Sequence, residues 1–170
     1  MKIKVNHLRA LNAVGYLMLK IYNPFAEEVR SLINPSDLAP DGFEYEPHVT
    51  LLMDVPSRQN PEELLNYALG HIVISDELYL GNISVFENEE HDVLKWDVAE
   101  VSKDRWLNIF HDNLKQEFHI EEHFPVFHPH STIAYLIKGK GKEYVEKLKD
   151  YHDIKVNMLK LDYSIQVELR

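Results

Sequence analysis

The residues best suited to chemistry are two histidines and two threonines in a repeated pattern. Residues 47–52 read Pro-His-Val-Thr-Leu-Leu, and residues 129–134 read Pro-His-Ser-Thr-Ile-Ala. The chain contains only two threonines, and each stands two positions after a histidine. With 10 histidines in 170 residues, chance would place both threonines in this way with a probability of roughly (10/170)², about one in 300. The repeat therefore predicts a site built from both copies.

The two copies suit phosphodiester cleavage. Residues two apart in a strand share a face, so His48 lies beside Thr50, and His130 lies beside Thr132. If the copies face each other, a neutral imidazole can deprotonate an attacking hydroxyl while a protonated one donates to the leaving oxygen. The threonine hydroxyls can donate to phosphate oxygens. This scheme needs no metal or other cofactor, and the residues do not say which histidine is the acid.

The competing interpretation treats each His-x-Thr as an ordinary strand fragment whose histidine is exposed or internally hydrogen-bonded. For a single copy that interpretation would be preferred. Two copies in matching context favour the site.

Two His-x-Thr motifs followed by apolar residues, 82 positions apart (130 − 48), resemble the 2H phosphoesterase superfamily, which includes 2′-5′ RNA ligase-like proteins. The resemblance implies a two-lobed α+β fold with both motifs in a central cleft. It also implies metal-independent action on cyclic phosphates, 2′-5′ linkages or other short nucleotide phosphodiesters. His48 and His130 would then be catalytic, and Thr50 and Thr132 would hold phosphate.

Residues 130–144, HSTIAYLIKGKGKEY, are similar to the second-motif region of small phage proteins that degrade cyclic oligonucleotide signals of bacterial CBASS immunity. That resemblance implies attack by a ribose 2′-hydroxyl, which opens a 3′-5′ bond through a 2′,3′-cyclic phosphate. It makes degradation of a cyclic nucleotide immune signal in a host cytoplasm the leading hypothesis. One alternative is a phosphodiesterase for 2′-5′ oligonucleotides or for 2′,3′-cyclic phosphate RNA. Another, of a different class, is a protein that sequesters a nucleotide without cutting it.

Composition restricts the partners. The net charge of −10 opposes binding of long nucleic acids but permits a short phosphorylated ligand in a local pocket. The chain has no cysteine, so disulfides and thiolate ligands are excluded. No apolar run is long enough to span a bilayer and no signal peptide is recognised, so we expect a cytoplasmic protein without a membrane partner. The sequence does not indicate the oligomeric state.

Tyr16 and Lys138 are the candidate substrate-binding residues. Tyr16 could stack on a base, or it could simply be packed. Lys138 could attract phosphate, although such a lysine is more often part of a solvated turn. A third group, His119, Glu121, Glu122, His123 and His128, resembles metal ligands only in composition, so we predict no metal site.

Alternating and helical hydrophobic patterns predict the elements that position these residues. We expect strands at 15–21, 47–55, 72–74, 78–86, 93–98, 127–137 and 159–169. Helices are expected at about 24–32, 61–70, 103–118 and 142–151, the third capped by Ser102, and a loop at 35–42. The order predicts an α+β fold in which two similar lobes with antiparallel sheets form a central cleft, within one domain spanning residues 1–170.

Overall fold

Antiparallel strands form one sheet in the computed structural model, which describes residues 13–72, 77–124 and 126–167. The strands are β1 (Ala13–Tyr22), β2 (Leu38–Phe43), β3 (His48–Pro56), β4 (Leu78–Glu87), β5 (His91–Val98), β6 (His130–Ile137) and β7 (Ile154–Val167). Their order across the sheet is β2-β6-β5-β4-β7-β1-β3. The motif strands β3 and β6 therefore lie near opposite ends of the sheet.

Strand β7 divides the sheet into two halves. Its residues 154–156 pair with β4, and its residues 157–167 pair with β1. The first half contains β1, β3 and the end of β7, whereas the second half contains β2, β4, β5, β6 and the start of β7. Each half holds one motif strand. This arrangement confirms the predicted α+β fold with two similar antiparallel lobes.

The two ends of the sheet come together at the motif strands. The Glu44 N–H donates to the Ile133 carbonyl on β6 (3.0 Å), and the Ile21 N–H donates to the Pro47 carbonyl just before β3 (3.0 Å). Three peptide units join Glu44 to Pro47, so their Cα atoms are at most about 11 Å apart. Strands β3 and β6 accordingly contact each other. The cleft between the halves is thus bordered by both motifs.

Four helices of six or more residues pack on the described part of the sheet. They are α1 (Ala26–Ser31), α2 (Pro61–His71), α3 (Asn108–Phe118) and α4 (Gly141–Lys147). The start of α2 follows the expected pattern, because the Asn60 side chain accepts from the Glu62 N–H (2.9 Å) and Pro61 takes the first helical position. No helix among the described residues combines the length and apolar character needed to cross a membrane.

The core lies between the sheet and the helices. Alternate residues of β1 are buried, among them Leu17, Leu19 and Ile21, as the strand period requires. They pack in one cluster with Leu64 of α2 and Leu114 of α3. Each such side chain contributes about 1.5–3 kcal/mol through burial, so the core holds the strands that carry the motifs.

Residues 35–42 were expected to form a loop, and that expectation was wrong. Pro35–Asp37 forms a 3₁₀ turn, and Leu38–Phe43 forms the edge strand β2 beside β6. An edge strand tolerates Pro40 because its missing N–H can face away from the ladder. Pairing with β6 overrides the turn-like composition.

The predicted cap at Ser102 was also wrong. A helical turn begins at Glu100–Ser102 and a π-helical turn at Lys103–Leu107 leads into α3. Instead of capping, Ser102 Oγ accepts from the Tyr79 N–H (2.9 Å) and donates to the Glu77 carbonyl (3.2 Å). Ser102 therefore fastens this segment to the start of β4.

Other boundaries differ by several residues. Strand β6 begins three residues later than expected, α4 ends four residues earlier, and β7 begins five residues earlier. No strand is present at Ile72, which follows α2 directly, and the rest of the predicted strand at 72–74 lies outside the described residues, as do positions 168–169.

Candidate active site

The two motifs adopt the same burial pattern. Residues 48–53 and 130–135 are each half-buried, buried, half-buried, buried, buried and half-buried in turn. Histidine and threonine take the half-buried positions, and the residues between them, Val49 and Ser131, are buried. We call the sheet face of each half that carries His and Thr its motif face. Strand geometry thus aims the side chains of His48, Thr50, His130 and Thr132 to one side, and those of Val49 and Ser131 to the other.

The prolines begin the two motif strands in the same way. The Pro47 carbonyl accepts from Ile21 of β1, and the Pro129 carbonyl accepts from Val98 of β5 at 2.9 Å. Proline has no N–H to donate, but its carbonyl can still join the ladder at the first position of a strand. Each motif is consequently in register with one neighbouring strand from its first residue.

Both catalytic candidates are held by the same hydrogen bond. His48 Nδ1 donates to the Glu46 carbonyl (2.9 Å), and His130 Nδ1 donates to the His128 carbonyl (2.7 Å). A carbonyl only accepts, so the proton of a neutral ring lies on Nδ1 and the lone pair lies on Nε2. Each Nε2 can therefore take a proton, or give one when the ring is charged.

His130 lies close enough to His48 for the charge of one to influence the other. Burial lowers the pKa of His130 below its ordinary value, and the positive charges of Lys95 and His48 act in the same direction. The His128 carbonyl and Asp97 favour the charged ring without reversing this shift. The neutral form of His130 is thus favoured near pH 7.

The strands beside the motifs add charged residues that sequence reasoning missed. In the first half, Lys20 lies opposite His48 on β1, and its Nζ is 3.0 Å from a carboxylate oxygen of Glu46. In the second half, Asp97 lies opposite His130 on β5, and Lys95 lies opposite Thr132. Residues opposite each other in an antiparallel pair share a face. The alternation of Lys95 and Asp97 with the buried Trp96 and Val98 could have indicated this polar face.

The polar face of β7 lies one strand away from the first motif, across β1. Lys160 pairs with Lys20, Asp162 pairs with Met18, and Ser164 pairs with Tyr16. The sequence left open whether this face is solvated or lines the groove. Its register places it on the motif face of the first half.

Tyr16 and Lys138 occupy different surroundings. Tyr16 is half-buried on the motif face, two residues from Met18, which lies opposite Thr50. Lys138 instead donates from Nζ to the carbonyls of Asn88 (2.9 Å) and Glu89 (3.5 Å), in the turn between β4 and β5. The position of Lys138 matches the alternative in which it belongs to a turn.

Acidic and histidine residues connect the segment before β6 to β3. Glu122 accepts from Nε2 of His111 (2.8 Å) and from the Met53 N–H (2.9 Å), while the His123 N–H donates to Asp54 (2.8 Å). Burial alone would raise the pKa of Glu122, but these hydrogen bonds and the nearby positive charges lower it overall. In the part of the chain that the structure describes, no three such side chains are grouped to hold a metal ion.

A cavity of about 630 Å³ lies apart from the motifs, between α2 and β7. Its lining is largely apolar and includes Leu69, Ile72, Val156 and Leu161. None of the four motif side chains lines it. The histidines suited to acid–base chemistry instead lie on β3 and β6, two strands that contact each other.

Comparisons with known proteins bear on the fold. No family model and no curated relative matches the sequence. The structure of Kluyveromyces marxianus Usb1 aligns over 94% of this chain and 98% of that chain, with a TM-score of 0.57 and 13% identity. The structure of K. marxianus Usb1 with uridine monophosphate aligns over 81% of each chain, with a TM-score of 0.44 and 14% identity. The chain has the 2H phosphoesterase fold, as its two motifs predicted.

Proposed function

We propose that the protein is a metal-independent phosphodiesterase that cleaves short or cyclic oligonucleotides, with His48 and His130 as its proton-transfer groups. The observation that carries this proposal is the matched anchoring of the two rings. Each Nδ1 donates to the carbonyl two residues earlier, so each Nε2 has the same freedom to exchange a proton. The two rings approach from contacting strands.

The proposed first step uses a ribose 2′-hydroxyl as the nucleophile. Nε2 of one neutral histidine accepts the hydroxyl proton as the bond from O2′ to phosphorus forms. The bond from phosphorus to O5′ breaks, and O5′ takes a proton from Nε2 of the other, charged histidine. The products are a 2′,3′-cyclic phosphate and a free 5′-hydroxyl. Each positioned proton transfer typically supplies about 10²- to 10⁴-fold in rate.

Thr50 and Thr132 would hold the phosphate during this step. Each shares a face with its motif histidine, one pleat along the strand. A hydroxyl can donate to a non-bridging oxygen, where negative charge accumulates as the nucleophile adds. Two donors from two facing strands would fix the phosphorus between the two imidazoles.

A cyclic oligonucleotide that serves as an immune signal is the leading substrate class. The net charge of −10 disfavours long nucleic acids, and residues 130–144 resemble phage proteins that destroy CBASS signals. The competing substrates are 2′-5′ oligonucleotides and RNA ending in a 2′,3′-cyclic phosphate. A protein that only sequesters a nucleotide would need no paired proton donors and acceptors.

A product assay tests the proposal. The protein would be incubated in EDTA with cyclic dinucleotides, cyclic trinucleotides, 2′-5′ oligoadenylate and RNA with a cyclic phosphate, and the products separated by chromatography. We expect linear products from the cyclic oligonucleotides, and their loss in His48→Ala and His130→Ala. His152→Ala is the matched control, because His152 is an exposed histidine in the turn before β7.

Each outcome decides between the hypotheses. Cleavage of only 2′-5′ oligoadenylate or of RNA with a cyclic phosphate would show that the substrate belongs to the competing class and is not a cyclic oligonucleotide. Tight binding without products would favour sequestration. Activity that disappears in EDTA and returns with a divalent cation would overturn the metal-independent mechanism.

A further inference from the structure

Lys95 is a buried lysine at the second motif. Its relative exposure is 4%, although lysine is almost never fully buried without a partner. It lies on β5, directly opposite Thr132 on β6. A buried positive charge therefore lies beside the proposed phosphate site.

The Lys95 ammonium is enclosed on three sides. Its Nζ donates to Ser84 Oγ (2.6 Å) and to Oδ1 of Asp97, and it lies 4.0 Å from the centre of the Phe86 ring. Asp97 is partly exposed and lies opposite His130. Lys95 thus holds a carboxylate and an aromatic ring next to the second motif.

Phe86 connects Lys95 with His130. The ring centres of Phe86 and His130 are 5.0 Å apart at an angle of 88° between planes, an edge-to-face contact. The same aromatic ring therefore contacts the ammonium and the imidazole. Such contacts restrict the orientation of the imidazole, whose Nδ1 is already held by the His128 carbonyl.

Stability alone does not account for a lysine here. Replacing a buried ion pair by apolar residues of similar size is often neutral or stabilising. In the first half, the position opposite the motif threonine holds an apolar residue, because Met18 lies opposite Thr50. A buried charge in the second half is therefore more readily explained by its effect on the neighbouring site.

We propose that Lys95 is a positioning residue for His130: it orients the imidazole through Phe86, which contacts both side chains, and through Asp97, which lies opposite His130 on the sheet. The charged groups around His130 are Lys95 and Asp97 on β5 and His48 on β3. Burial lowers the pKa of His130 most, and Lys95 lowers it further. The catalytic consequence of this inference rests on the proposed function, whereas the effect on the ring does not.

Titration by NMR tests the effect without any substrate. The ring proton resonance of His130, assigned by its loss in His130→Gln, would be followed with pH in the wild type, Lys95→Met and Lys95→Arg. We expect Lys95→Met to raise the pKa of His130 and Lys95→Arg to leave it close to the wild-type value. Lys155→Met is the matched control, because Lys155 pairs with Glu77 away from the motifs.

The thermal midpoint of Lys95→Met should stay close to that of the wild type, because Asp97, the carboxylate that loses its partner, is 46% exposed and can be hydrated. A folded Lys95→Met protein with an unchanged His130 titration would overturn the proposal. If Lys95→Met does not fold, Asp97→Asn provides the opposite test, since removing the negative charge should lower the pKa of His130. An unchanged or raised pKa in Asp97→Asn would contradict the proposal.

Turnover supplies the second readout. On a substrate identified in the product assay, Lys95→Met should shift the acid limb of kcat/KM to higher pH, in step with the NMR value, and Lys95→Arg should restore it. A uniform loss at every pH with no shift would assign Lys95 a merely structural role. If no substrate is cleaved by the wild type, the proposed function fails while the NMR titration still decides the role of Lys95.

Discussion

The two motif strands share a backbone arrangement but differ in the side chains opposite them. The position opposite histidine holds Lys20 in the first half and Asp97 in the second. The position opposite threonine holds Met18 in the first half and Lys95 in the second. The repeat therefore reproduces the direction of the catalytic candidates without reproducing their electrostatic surroundings.

The same local structure thus stands in two different electrostatic surroundings. Acid–base cleavage needs one ring that accepts a proton and another that donates one, although both rings are bound in the same way. Pairs of titratable groups acquire different roles when their environments separate their pKa values. Lys95, buried beside His130, and Lys20, paired with a Glu46 that is 79% exposed, give the two histidines different charged neighbours.

Removing either imidazole should have the largest effect. His48→Ala and His130→Ala should each reduce kcat/KM by about 10²- to 10⁴-fold, since each removes one proton transfer. The double variant should be little slower than the slower single variant, because the two rings act as a unit. Initial rates on the substrate found in the product assay would measure this. His152→Ala is the control. If one of the two single variants kept a rate near that of the wild type, its histidine would not be a proton-transfer group.

Disrupting the connection between β3 and the segment before β6 should have the next largest effect. Glu122→Ala leaves His111 buried without its carboxylate and should lower the free energy of unfolding by about 2–4 kcal/mol. Because the pKa of Glu122 is lowered in the folded protein, its contribution is present above the unfolded value and is lost as pH falls through the folded value. Urea unfolding at neutral and acidic pH measures both. Glu121→Ala, an exposed neighbour, should change stability by less than about 0.5 kcal/mol, and an equal loss in both variants would contradict this account.

Removing one phosphate donor should have a smaller effect on catalysis than removing a histidine. Thr50→Val and Thr132→Val keep the side-chain shape and should each cost about 10²-fold in kcat, the lower end of the range for one such donor. Serine at either position should restore most of the rate. The values of kcat and KM for both valine variants measure this effect. Similar losses of kcat would mean that both threonines hold phosphate. A loss in one variant only would mean that one strand holds it.

The smallest expected effect is a pH dependence of stability that belongs to the second half. His130 has a lowered pKa when folded and a value near 6.5 when unfolded, so the unfolded chain binds a proton first. Stability should therefore fall as pH drops below about 6.5 towards the folded value. Urea midpoints between pH 5 and 8 should show a weaker slope in His130→Gln than in the wild type. An identical slope in the two proteins would show that protonation of His130 does not contribute to the pH dependence of stability.

The sequence was sufficient for features that depend on strand period. Alternation placed His48 and Thr50 on one side and Val49 on the other, and the same rule held for the second copy. The sequence did not reveal β2, because Pro40 and Gly42 favour a turn until the edge of β6 supplies partners. It also missed Lys95, because a lysine near a hairpin is usually solvated and only the neighbouring strands show that this one is enclosed.

The crossing at residues 44–47 and the shared strand β7 connect the two halves on both sides of the groove. Two such connections restrict how far the halves can move relative to each other. If the distance between the imidazoles is set when the chain folds, little conformational entropy is lost when a substrate binds. A substrate whose reactive hydroxyl were already in line with its leaving oxygen would likewise lose little entropy on binding.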